Sequence, residues 1–591
     1  MRNLLGYVLV FAASTVVLAQ TPSVADRVAA QNALFEEIYQ TGLKNSPTMA
    51  TSVGDYRFNA LLGDASLAEI ARVHAENDAF LKRLKAISTA GMSDSDLLSH
   101  ELLERRLVQG DADYDLKNYE MPVNQQNGIH TGLADLPLSV PFDSVQHYED
   151  YIARLHQVPR VLSQTMDVMR QGMKDGLMPP KIIADKLPAQ CAGIISSDPF
   201  LLPLKKFPAS FSDADKQKLT DEMTKAVNDD VLPAYTKFAD FVRNEYAPKA
   251  RTALSIESLP DGKRRYAEAV KAMTTVNITP AEVHELGLRE VARITAEMTA
   301  LAKSQGYKDL VSFREAVNAD PRYKPKTEQQ IVADFKKYID QMQPMLPQLF
   351  GLLPKAPVTV EAIPGFAKDE ATHYVAGSPD GKRAGRVVVA VFNPEARTML
   401  LDEAVAYHEG VPGHHLQISD AQQLTGLPKF RLRGGYSAYT EGWALYAESL
   451  GKEVGFYKEA ASDYGRLNSE LFRAVRLVVD TGIHDKGWTR EHVIEYMHSN
   501  DVNDAVAQTE TDRYIAWPGQ ALAYKMGQLK ILELRERAKK ELGPKFDIKS
   551  FHDEILDGGA MPLDLLEERV NRWIKAQLPQ SASTGSLPVG Q

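Results

Sequence analysis

The sequence predicts a mainly α-helical protein carrying one small β-sheet. Apolar residues recur three and four apart, with charges between them, along most of its length. A single stretch, residues 372–392, switches to strand-like composition. Hydrophobic residues make up 44% of the 591 and charged ones 25%, as in ordinary globular proteins.

Taken in chain order, residues 1–19 stand apart from this fold. Arg2 gives a short basic start, Leu4–Leu18 is an apolar run, and Val17-Leu18-Ala19 ends in a small residue. That is the pattern of a cleaved signal peptide, and the run is short for a membrane anchor. A secreted or periplasmic location is expected, without stable membrane insertion. No cysteine sits near the cleavage point, which argues against lipoprotein processing. Residues 20–575 are expected to form one helical unit, divisible into an N-terminal lobe over 20–275 and a catalytic lobe over 276–575. The polar tail 576–591 is expected to be disordered.

Helical periodicity marks Ser66–Leu84, Ser95–Val108, Ser144–Asp175, Asp213–Tyr246 and Pro280–Ser304. Thr279 and Pro280 are a cap and a first-turn proline. Thr372–Val375, the turn Gly377-Ser378-Pro379-Asp380-Gly381 and the β-branched Arg386–Phe392 read as strand, turn, strand. Asn393-Pro394-Glu395 then reads as the start of a helix running through Leu400 and Val405 to His408. The sheet would therefore lie beside this helix, and Arg386–Phe392 could offer an edge to an extended ligand.

The net charge of −10 argues against nucleic acid or an anionic membrane as partner. Cys191 is the only cysteine, so an internal disulfide and a cysteine-rich metal site are both excluded. The oligomeric state is not readable from the sequence.

The chemistry concentrates in Tyr407-His408-Glu409-Gly410-Val411-Pro412-Gly413-His414-His415-Leu416-Gln417. A zinc hydrolase needs two imidazoles on the ion, a carboxylate beside them to take a proton from water, and commonly a third ligand from elsewhere. Residues four apart on a helix lie about 6 Å along its axis and about 40° around it, which suits chelation. Here the next histidine is six or seven positions on, and six corresponds to about 240° around. Gly410, Pro412 and Gly413 permit the change of backbone this requires. Looping out two residues brings His414 to the ligand position; looping out three brings His415.

This stretch, with Tyr439-Thr440-Glu441-Gly442-Trp443 further on, resembles the bacterial family of domain of unknown function 885. Thr51–Arg57 and Asp480–His484 belong to the same resemblance, which extends over nearly the whole mature chain. The family is similar to the gluzincin metallopeptidases, zinc enzymes with His, His and Glu ligands. The nearest group is the mostly helical one containing angiotensin-converting enzyme, oligopeptidases and thermostable carboxypeptidases. The resemblance implies a large helical gluzincin-like fold with a central cleft. It implies Zn2+ on His408, His414 and Glu441, because that group's motif ends in Gly-His, matched by Gly413-His414. The pair of residues inserted before that glycine departs from the group's spacing. Glu448, two turns beyond Glu441, is a rival ligand or a carboxylate behind the ligands.

Glu409 would act as general base on bound water. Tyr514, in an Arg-Tyr pair like that of angiotensin-converting enzyme, would steady the oxyanion; Tyr524 and Lys525, in a stretch that resembles the family's signature, are candidates for contacts to a substrate carboxylate or to the oxyanion. Asp480 would fix a ligand imidazole and His484 would line the cleft. The expectation is a secreted zinc metallopeptidase acting on short peptides. Its alternatives are a zinc amidohydrolase or esterase acting on a small molecule, and a helical binding protein without catalysis.

Overall fold

The computed structural model describes residues 22–363, 371–378, 383–432 and 435–578. The signal-peptide stretch 1–19, most of the turn at 379–382 and the tail from 579 onward lie outside the described residues.

The protein is mainly helical with a three-stranded sheet. Local signals start many of its helices. Ser66 caps Leu67–Lys85, and Thr279 with Glu282 forms a reciprocal capping box on Pro280–Ser304. Ser144–Asp175 is two helices, Val145–Leu155 and Val158–Asp175, because Pro159 lacks the N–H that an unbroken helix needs and is accommodated in a new first turn. The run 213–246 continues through π turns at Val227–Val231 and Val242–Tyr246, the first lying just ahead of Pro233. The last helix, Leu563–Gln577, extends two residues into the expected tail.

The two largest apolar cores among the described residues are built differently. One gathers Tyr148, Tyr151, Phe200, Tyr235 and Phe238, with Cys191 buried among them. The other gathers Tyr407, Trp443, Tyr446, Ile531 and Phe551, and draws in Leu98 and Leu102 from the N-terminal half. No described helix is long and apolar enough to cross a membrane.

The sheet has the order β1-β3-β2, with β1 Val358–Ala362, β2 His373–Val375 and β3 Gly385–Val389. β1 pairs parallel with β3 in the register Val358 to Gly385, and β2 pairs antiparallel with His373 opposite Val388. β3 is therefore central. The expected use of Arg386–Phe392 as an open edge does not hold, since β3 is paired on both sides; among the described residues the outer strands are β1 and β2.

Asn393 does not cap a long helix. Its backbone is left-handed, Pro394–Ala396 makes one short turn, and the helix begins only at Asp402. Ser437–Glu453 and Ala523–Leu542 pack backbone to backbone, where a Cβ on Gly527 would overlap the carbonyl oxygen of Ala438. This contact fixes the position of Glu441, the neighbour of Gly442.

Candidate metal centre

His408 lies in the last turn of Asp402–Glu409, and His414 is the first residue of a second helix, His414–Gln423. The expected bulge in one continuous helix is thus a full break, with Gly410–Gly413 as the connection. Gly413 makes the break compact: a Cβ there would overlap the carbonyl oxygens of Tyr407 and His408, so only glycine lets the second helix start over the end of the first. Trp443 Nε1 donates to the Pro412 carbonyl at 2.9 Å and ties the connection to the Glu441 helix.

This arrangement brings His408, His414 and Glu441 together, with one ligand atom from each, all within 4.8 Å of one another. Glu441 Oε2 is 3.5 Å from His408 Nε2 and 3.5 Å from His414 Nε2. Charge-assisted hydrogen bonds run shorter, at about 2.7–2.9 Å. Zinc bonds of about 2.0–2.2 Å at tetrahedral angles separate ligand atoms by about 3.3–3.6 Å. The spacing and the donor set, two imidazole nitrogens and a carboxylate, fit zinc.

Behind the ligands, His408 Nδ1 donates to Glu448 Oε1 at 2.8 Å, which leaves Nε2 to face the cluster. Burial alone would depress the His408 imidazole, but Glu441 and Glu448 outweigh it and push it up to about 10 without a cation. Burial works against ionisation of Glu441 too, yet the two histidines hold its carboxyl well below the usual range. His408 is almost fully buried, whereas the Glu441 side chain keeps 22% of its surface exposed, so the cluster is reached by solvent from the Glu441 side. Glu409 Oε2 is 4.0 Å from His414 Nε2, beside the cluster but outside it.

His415 points elsewhere. Its Nδ1 is 3.0 Å from the Tyr374 hydroxyl and its Nε2 is 3.1 Å from the Ala356 carbonyl, so it anchors the sheet. Burial pushes it down to about 4, leaving it neutral.

Three expected roles are corrected. His484 does not line a cleft: it is buried, Nδ1 accepts from the Ile256 N–H at 3.2 Å, and Nε2 donates to the Tyr514 carbonyl at 3.0 Å. With both nitrogens spent on backbone, it is structural. Asp480 touches neither ligand imidazole; it accepts from the Tyr266 hydroxyl at 2.7 Å and the Gly519 N–H at 3.1 Å. Glu448 has the place behind His408 that Asp480 was expected to take. Tyr514 donates its hydroxyl proton to Glu510 at 2.7 Å and accepts from Arg476 at 3.0 Å, and none of its hydrogen bonds reaches the cluster. Its proton is committed and is not offered to an oxyanion. Lys525 is fully buried between Glu470 at 2.7 Å and Glu290 at 3.1 Å. The Tyr524 oxygen accepts from Arg513 at 3.3 Å, and its own proton has no acceptor among the described residues.

Sequence reasoning missed the grouping of Arg473, Arg476 and Arg513 around Tyr524. Arg473 and Arg476 lie on the helix Ala460–His484, and tertiary packing brings Arg513 to them from the helix Asp504–Ala516.

Fold and site define a helical protein built around a buried His-His-Glu cluster. The chain belongs to a family of bacterial proteins of unknown function, DUF885, whose model matches residues 47–570. Among solved structures it is similar to a protein of Colwellia psychrerythraea described as a "putative lipoprotein", with 29% identity and a TM-score of 0.86, over 93% of this chain and 99% of that one. A "putative lipoprotein of unknown function" from Shewanella oneidensis shares the fold at 19% identity and a TM-score of 0.71, with the same coverage of 93% and 99%. No curated protein matches the chain.

Proposed function

We propose that this protein is a zinc metallohydrolase of gluzincin type that cleaves peptide bonds in short peptides outside the cytoplasm. The observation that carries the reading is that Glu441 Oε2 lies 3.5 Å from both His408 Nε2 and His414 Nε2, the edge length of tetrahedral zinc ligands, with a second carboxylate, Glu409, alongside. A zinc ion held by the three ligands supplies a Lewis acid for a carbonyl and lowers the pKa of water.

The remaining work falls to the chain's own groups. Glu409 takes a proton from water and holds it for the leaving amine. Glu448 keeps the His408 ring in one tautomer and orientation. The cluster joins the Asp402–Glu409, His414–Gln423 and Ser437–Glu453 helices, and the short-peptide reading follows the helical gluzincins that the chain resembles. The lipoprotein names of the similar structures and the apolar run at residues 4–18 support an extracellular or envelope location.

The test is metal analysis of the purified protein together with a panel of quenched short peptides. The expected result is one zinc per chain and cleavage, with Glu409→Gln lowering turnover about 100- to 10,000-fold while zinc is retained. Hydrolysis undiminished in Glu409→Gln, or cleavage of ester and small amide substrates but no peptide, rejects this reading.

A further inference from the structure

We propose that Arg473, Arg513 and Tyr524, backed by Arg476, form a subsite for a carboxylate of the substrate. The proposal rests on the hydrolase reading and names what that site selects.

The first observation is charge imbalance. Arg476 Nη2 and Arg513 Nη1 share one carboxylate, Glu510, at 2.8 and 3.2 Å. Arg473 has no carboxylate partner among the described residues; its Nη1 donates to Ser469 Oγ at 2.8 Å. Three guanidiniums thus face one carboxylate, in a chain whose net charge is −10. The neighbouring group is built differently: Lys525 and Arg293 are matched by Glu470 and Glu290. An excess of partly buried positive charge is costly unless an anion completes it.

The second observation is organisation. The Arg476 guanidinium is clamped 4.5 Å from the ring of Phe472 and 4.5 Å from that of Tyr524, and its Nη1 is buried without a hydrogen-bond partner. Arg476 is therefore a fixed positive backing, while Arg473 and Arg513 are partly exposed; Arg513 Nη2 rests on Gln520 at 2.7 Å, and the Nε of Arg473 and that of Arg513 are buried without a hydrogen-bond partner. Tyr524 adds its uncommitted hydroxyl proton. Planar guanidinium forks and a phenol are the donors that suit a carboxylate.

The third observation is position. Tyr524 lies one helical turn before Gly527, whose backbone touches Gly442, the residue next to Glu441. The two helices run parallel through this contact, since Gly442 meets Gly527 and Glu453 meets Arg535 further along. Tyr524 is thereby on the part of its helix that is level with the start of the Glu441 helix. A peptide whose scissile bond lies at the cluster can direct a terminal or side-chain carboxylate into the arginine group.

The experiment measures binding by calorimetry to Glu409→Gln protein as purified. The probes are acetyl-Ala-Ala-Ala, its C-terminal amide, and acetyl-Ala-Ala-Glu amide. The acid is expected to bind roughly 10- to 100-fold tighter than the neutral amide. Arg473→Gln removes that preference without changing affinity for the amide, and Arg473→Lys restores part of it. Preference for the Glu amide over the neutral amide assigns the subsite to an acidic side chain; preference for the acid alone assigns it to the chain terminus. Equal affinities for all three probes, absence of binding to any, or a preference that survives Arg473→Gln overturns the proposal. Failure of the hydrolase reading looks different: the carboxylate preference persists, but wild type cleaves none of the peptides.

Discussion

Among the described residues, two clusters of histidine and carboxylate side chains bring their ligand atoms within 4.8 Å of one another: His408, His414 and Glu441 in the C-terminal half, and His74, Asp78 and Asp111 in the N-terminal half. They differ in what stands behind them. His408 is buried and its second nitrogen is held by Glu448, whereas the His74 and Asp111 side chains are 24% and 28% exposed. The His74 ring is stacked 3.7 Å from Tyr114, and the carboxylate nearest it among the described ion pairs, Asp111 at 3.5 Å, is itself a member of the cluster. In the first cluster opposite charges meet; in the second, burial and the nearby charge of Asp78 raise the Asp111 carboxyl. Convergence of ligand types is common on helical surfaces. Buried histidine ligands, a fixed tautomer and opposite charges that meet distinguish a centre from a coincidence.

The comparison can be broken by substitution. The largest effect is expected from Glu441→Ala, which should abolish zinc retention, while His74→Ala leaves the metal content of the protein unchanged; plasma emission on dialysed protein reads both. Next, Glu448→Gln should weaken zinc binding about 10- to 100-fold, measured by competition with a chelator, because the ligand stays but its orientation is loosened. A result equal to wild type would mean that the buried carboxylate is packing only.

The smallest effect concerns stability. Burial opposes ionisation of Glu470, but Lys525 and Arg293 outweigh it and hold the carboxyl at about 2. A carboxyl whose pKa is depressed by folding contributes stability above its unfolded value of about 4.5, and loses it as pH falls toward 2. Thermal melting should therefore drop across that window, and Glu470→Gln should flatten the drop. A melting temperature independent of pH between 4.5 and 2.5 would contradict the assignment.

The same contrast explains what the sequence disclosed. Helices set by local rules were legible, as with Pro280–Ser304, whose cap, proline and capping glutamate are contiguous. β1 was not, because its five residues acquire meaning only through a parallel pairing with β3 more than twenty residues away. At the site, residue types and order identified His408, Glu409, His414 and Glu441 as a candidate set, and the structure brings their side chains together. The choice between His414 and His415 was open from spacing alone, since it depends on how the backbone leaves Gly410; coordinates turn His415 to the sheet. The resemblance pointed to Tyr514; its partner Glu510 is one turn back on the same helix, but Arg476 and, for His484, Ile256 come from distant segments. Nothing in the order of residues reveals that Arg476 and Ile256 occupy these side chains.

The central claim is that one imidazole of the adjacent pair, and not the other, completes a zinc site. Zinc content of wild type, His414→Ala and His415→Ala, measured side by side after dialysis, tests it most directly. The account predicts one equivalent in wild type and in His415→Ala, and none in His414→Ala. Metal absent from wild type, or lost from His415→Ala and kept in His414→Ala, would contradict it.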